Sequence, residues 1–137
     1  MENFILVDDD PTCNYLVEFN IHLLSPDSTF KSVVDPIQAL SYIYSGDIFY
    51  PKPIIFLNLN MPRMTGWEFL EIVRLLNIPC SIYIVTSSVD DDVKYRAKNY
   101  PVVKGYMAKP ILDADIEKII RQKDALNMNY NSSQFAQ

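Results

Sequence analysis

Apolar positions in this chain fall into short runs separated by longer stretches at helical spacing. Phe4-Ile5-Leu6-Val7 predicts a first strand, halted by Asp8-Asp9-Asp10. Pro11 suits a first helical turn, where a missing N–H costs nothing. Tyr15, Leu16, Phe19 and Leu23 then recur at the spacing of a helix. Phe30 to Val34 predicts a second strand, weaker and more polar, as an edge strand would be. Asp35-Pro36 supplies an N-cap followed by proline at the first helical position. Ile37, Leu40, Ile43 and Tyr44 are the expected buried stripe of that second helix, with Gly46 as its stop.

Ile54 to Leu57 is almost continuously apolar, as in a parallel strand covered on both faces. Thr65-Gly66 opens a helix carrying Trp67, Phe69, Leu70 and Val73. Ile82 to Val85 predicts another buried strand ending at Thr86, Val89 to Tyr100 a polar helix, and Gly105 to Ala108 a short strand. Leu112 to Lys123 predicts a last helix with Ile116, Ile119 and Ile120 on one side. Five strands alternating with five helices imply an α/β fold: a doubly wound parallel sheet, right-handed crossovers and helices on both faces. In such sheets reactive groups gather beyond the carboxyl ends of the strands. Asp8, Asp9, Asn58, Thr86 and Lys109 each fall at or just past a strand end, so one fold would bring them together.

At 137 residues the chain is expected to hold one domain, residues 1–124. The polar tail 125–137, rich in Asn, Ser and Gln from Asn127 on, is expected to be frayed or disordered. A net charge of −5 argues against a nucleic-acid partner, which needs a basic face. No apolar stretch approaches the roughly 20 residues of a membrane span, and the first apolar run is too short for a signal peptide. A cytoplasmic protein is therefore expected. Cys13 and Cys80 have no metal or redox spacing and read as reduced, partly buried thiols. Asp90 to Asp92 reads as a solvated helix start, His22 as a surface histidine, and Met61, Met64 and Trp67 as packing residues.

An acidic pair, a hydroxyl and a lysine at separate strand ends suit magnesium-assisted phosphoryl transfer onto a carboxylate. With Ile5-Leu6-Val7-Asp8-Asp9-Asp10-Pro11, Asn60-Met61-Pro62-Arg63-Met64-Thr65-Gly66, Val85-Thr86-Ser87-Ser88 and Tyr106-Met107-Ala108-Lys109-Pro110 in this order, residues 3 to 124 resemble a receiver domain of the two-component response regulator family. The resemblance implies a flavodoxin-like strand order of 2-1-3-4-5. It also implies a Mg²⁺ site from Asp8, Asp9, the position of Asn58 and the carbonyl of Asn60. Thr86 and Ser87 would lie at the phosphoryl group, Lys109 on its oxygens, and Tyr106 would couple the site to the surface. Implied partners are a sensor histidine kinase or phosphotransfer protein, and a downstream protein target on the face of the fourth helix, fifth strand and fifth helix. Taken singly, Asp8 reads equally as a helix cap, Thr86 as a strand-end residue, Lys109 as a surface lysine and Tyr106 as a core aromatic.

Asn58 departs from that pattern, because the family's phosphoacceptor is an aspartate. A neutral amide is no nucleophile for in-line attack on phosphorus. It also removes one negative charge from the metal site. At about 4 Å and an effective dielectric near 20, a charge pair is worth on the order of 4 kcal/mol, so Mg²⁺ affinity is expected to fall. The expectation is a well-folded receiver that is not phosphorylated, a signalling module and not an enzyme, with no output domain attached. Asn58 fits a natural departure and an introduced block equally well. The rival reading is a Mg²⁺-dependent phosphatase or hydrolase with Asp8 as nucleophile, against which stands the absence of an Asp-x-Asp spacing. A flavin carrier is set aside, because the loop after the first strand is acidic and the chain has only three glycines.

Overall fold

The computed structural model describes residues 2–45 and 52–123. Five parallel strands, β1 (Asn3–Val7), β2 (Thr29–Val33), β3 (Ile54–Asn58), β4 (Ser81–Thr86) and β5 (Val103–Ala108), form one sheet in the order β2-β1-β3-β4-β5. The helices between them are α1 (Pro11–Leu24), α2 (Pro36–Tyr44), α3 (Gly66–Leu75) and α4 (Asp91–Ala97), and α5 follows over 113–123. The expected strands are all present within two residues of their predicted ends. The fourth helix is shorter than Val89–Tyr100. Gly46 and the tail 125–137 lie outside the described residues.

Side chains alternate across the sheet with the period of a strand. Ile5, Val7, Ile55, Leu57, Ile82 and Ile84 face a core closed by α2, α3 and α4. Phe4, Leu6, Ile54, Phe56, Tyr83 and Val85 face the other core, which α1 and α5 close through Val17, Ile21, Ile116 and Ile119. The central strands β3 and β4 are buried at every position, as parallel strands covered on both sides must be.

Two helices turn differently from their expected orientation. In α1 the residues against the sheet are Asn14, Val17 and Ile21, and the periodic set Tyr15, Leu16, Phe19 and Leu23 is exposed. In α2 Pro36, Ala39 and Ile43 are buried and Leu40 packs against the core, whereas Ile37 and Tyr44 are exposed. Both helices start at an aspartate cap, Asp10 and Asp35, which accepts from the backbone N–H two residues on. The cap and the following proline set where each helix starts.

Candidate functional site

Sheet register assembles the site before any side chain is considered. Val7 pairs with Leu57 and Leu57 with Ile84, so Asp8 and Asn58 emerge side by side, one residue beyond. Thr86 pairs with Ala108, and the Lys109 N–H donates to the Thr86 carbonyl at 2.8 Å, holding Lys109 at the end of β4. Gly66 lets the start of α3 seat against this rim. A Cβ there would stand 2.8 Å from Leu59 Cα and 2.9 Å from the Asn58 carbonyl oxygen, so only hydrogen fits. The Gly66 N–H instead donates to the Leu59 carbonyl at 2.8 Å.

Asp8 is 1% exposed, yet charged groups reach it. Lys109 Nζ stands 2.9 Å from Asp8 Oδ2 as an ion pair, and that oxygen accepts no directed hydrogen bond. Asp8 Oδ1 accepts from the Asp10 N–H at 3.0 Å and from Asn58 Nδ2 at 3.4 Å. Asn58 Nδ2 also donates to Asp9 Oδ1 at 3.2 Å and to the Asn60 carbonyl at 3.1 Å. On the far side of the amide, the Asn60 N–H donates to Asn58 Oδ1 at 3.3 Å. Asp8, Asp9, Asn58, Asn60 and Lys109 are thus one connected cluster.

The remaining expected residues stand around it. Thr86 is buried at the end of β4 and Ser87 is exposed just past it. Tyr106 lies on the edge strand β5, 41% exposed, with Lys94 Nζ 5.9 Å from its ring centroid. Its ring therefore belongs to the α4–β5 surface. His22 is exposed, Met61 is in the core, Met64 and Trp67 pack against it, and both cysteines are free. Asp90 caps α4, with Asp91 and Asp92 in its first turn.

Sequence reasoning missed one residue beneath the site. Asn14 is buried on the inner face of α1, and its Nδ2 donates to the Asp8 carbonyl at 3.4 Å. Its signal was a polar residue three and seven positions before the inward pair Val17 and Ile21. Cys13, expected as a reduced and partly buried thiol, is that, and burial first and the Asp8 carboxylate second push it above the ordinary value.

An open five-stranded parallel sheet of order 2-1-3-4-5, with carboxylates and a lysine clustered at its carboxyl rim, defines a flavodoxin-like α/β domain. Residues 4–121 match the response regulator receiver domain, and the chain belongs to that family. Its fold is shared with the chemotaxis protein CheY4 of Vibrio cholerae, at 22% identity and a TM-score of 0.74 over 89% of this chain and 98% of that one. A two-component response regulator from Legionella pneumophila gives 21% identity and a TM-score of 0.75 over 91% and 99%. A LuxR-family DNA-binding response regulator from Staphylococcus aureus gives 20% and 0.74 over 89% and 98%. No curated protein matches the chain. Receiver domains are modules of two-component signalling, and they typically bind Mg²⁺. The site as built does not fit that ion: the Asn58 amide nitrogen, a donor, faces the oxygens that would be its ligands. Among the described residues no helix is long and apolar enough to cross a membrane.

Proposed function

We propose that this chain is a receiver module whose phosphoacceptor position is held by Asn58, and which signals through protein contact without aspartyl phosphorylation at that position. The carrying observation is the place of Asn58: the last residue of β3, 4% exposed, hydrogen-bonded to Asp8 and Asp9 and within one cluster with Lys109. A carboxylate at that point would share the cluster with Lys109, with Asp9 and Ser87 exposed beside it. A carboxamide there keeps the shape and lacks the nucleophile. Mg²⁺ binding is weakened accordingly, since Asp8, Asp9 and Asn60 are already engaged by the amide.

The partners are a sensor histidine kinase or phosphotransfer protein on the input side and a protein target on the α4–β5–α5 face. On that face Tyr106 is exposed and lines one recess with Lys94, Lys98 and Lys104. Thr86, Ser87 and Tyr106 connect the two regions in an ordinary receiver, and here that route has no phosphoryl group to act on it. The hydrolase alternative with Asp8 as nucleophile is disfavoured, because Asp8 is buried with one oxygen ion-paired and the other accepting two hydrogen bonds.

Intact mass after treatment with acetyl phosphate and Mg²⁺ tests the reading, with this chain and Asn58→Asp side by side. The variant should gain one phosphoryl group, its carboxylate oxygen bonding to phosphorus as acetate leaves, and the parent none. If neither gains one, the cluster is not a receiver site lacking its nucleophile, and the proposal fails.

A further inference from the structure

Asn58 does more than fail to accept a phosphoryl group. Three acceptors converge on its Nδ2: Asp8 Oδ1 at 3.4 Å, Asp9 Oδ1 at 3.2 Å and the Asn60 carbonyl at 3.1 Å. None of the three can donate, so an amide oxygen facing them would meet only lone pairs. The other end agrees, because the Asn60 N–H points at Asn58 Oδ1 from 3.3 Å. Both ends of the amide fix one orientation, nitrogen inward. Lys109 adds a full positive charge on the second oxygen of Asp8. Among the described residues, no group of three or more His, Cys, Asp or Glu side chains is placed to hold a metal ion.

We propose that the Asn58 carboxamide stands in for the divalent cation, so that this chain folds and holds its rim in one state whether or not Mg²⁺ is present. This rests on reading Asn58 as the acceptor position, and extends it from lost phosphorylation to lost cation dependence. A divalent ion entering here must expel the amide nitrogen and turn the amide by half a rotation. The turned amide would then aim Nδ2 at the Asn60 N–H, donor against donor. The two carboxylates are meanwhile served by N–H groups and Lys109, so no uncompensated acidic pocket remains to draw the ion in.

Asn58→Asp reverses each term. It deletes the inward donor, adds a third carboxylate beside Asp8 and Asp9, and leaves the converging oxygens in need of a cation. Thermal unfolding of both proteins, in chelator and in excess MgCl₂ with KCl matched for ionic strength, reads the difference. The Tm of the parent should agree in the two buffers to within about 1 °C, and that of Asn58→Asp should rise by roughly 4 °C or more on adding Mg²⁺. A Mg²⁺-induced rise in the parent as large as in the variant overturns the proposal. Should the variant not fold in chelator, titration calorimetry of MgCl₂ into the parent decides alone: a saturable binding heat refutes the stand-in, and its absence supports it. Phosphorylation of Asn58→Asp does not depend on whether the parent responds to Mg²⁺, so failure here leaves the receiver reading separately tested.

Discussion

In β3 every residue from Ile54 to Asn58 is buried, and Phe56 stacks on Phe4 with ring centroids 6.1 Å apart. In α1 four large apolar side chains, Tyr15, Leu16, Phe19 and Leu23, are between 62% and 76% exposed. Contact with the sheet falls instead to Val17 and Ile21, with Asn14 beneath the site. Both elements are rich in apolar residues and use them in opposite ways. A central strand has two covered faces, so an apolar residue has nowhere else to go. A flanking helix has one, and which one is decided by what its first turn must reach. Here that is Asp8: the Asp10 cap and the Asn14 amide tie the helix to the site, and the remaining phase follows.

Truncation inside should therefore hurt far more than truncation of an equally large residue outside. Phe56→Ala removes a ring in contact with Phe4 and Tyr83 and should cost about 3 to 5 kcal/mol. Ile21→Ala, smaller but fully buried, should cost about 2 to 5 kcal/mol. Urea unfolding midpoints measure both. If Ile21→Ala were neutral, α1 would present a different face to the sheet and the comparison would collapse.

That contrast also marks where the sequence was readable. Ile54 to Leu57 can only be an interior strand, and the polar residues that end such runs, Asp8, Asn58, Thr86 and Lys109, were legible as a rim because parallel strands share one direction. The departure at residue 58 was legible through the family resemblance, not from residue type alone. Helix facing was not. In α1 and α2 more apolar residues lie on the outer face than counting allows for, so Tyr15 to Leu23, with Ile37 and Tyr44, point the wrong way for a simple periodic reading. The rotation of the Asn58 amide was also beyond reach, since it depends on three acceptors brought together from two separate segments.

The two thiols sample the same contrast electrostatically. Cys80, at the foot of β4, is 1% exposed, and burial pushes its thiol from 9.0 to about 11. Cys13, in the first turn of α1, is raised chiefly by burial, with the Asp8 charge adding to it. The folded form of Cys80 holds its proton to higher pH than the unfolded chain does, so its stabilising effect is complete below pH 9.0. It is lost as pH rises from there to about 11. The loss should reach about 2 to 3 kcal/mol. Denaturation midpoints of the parent and Cys80→Val across that window measure it, and a fall equally steep in the variant would assign the effect to other groups.

The smallest expected effect tests the outer face itself. Phe19 is 62% exposed, so Phe19→Ala uncovers little surface that folding had hidden and should cost no more than about 1 kcal/mol. Alanine's better helix propensity returns a few tenths of that. The urea slope should not change, because the area exposed on unfolding barely does. Phe19 and Phe56 are the same residue type, so the intrinsic transfer free energy of the ring is matched, and burial with its host element separates them. A loss near that of Phe56→Ala would mean that the ring of Phe19 is covered in solution, and the outward face of α1 would then have to be redrawn around whatever covers it.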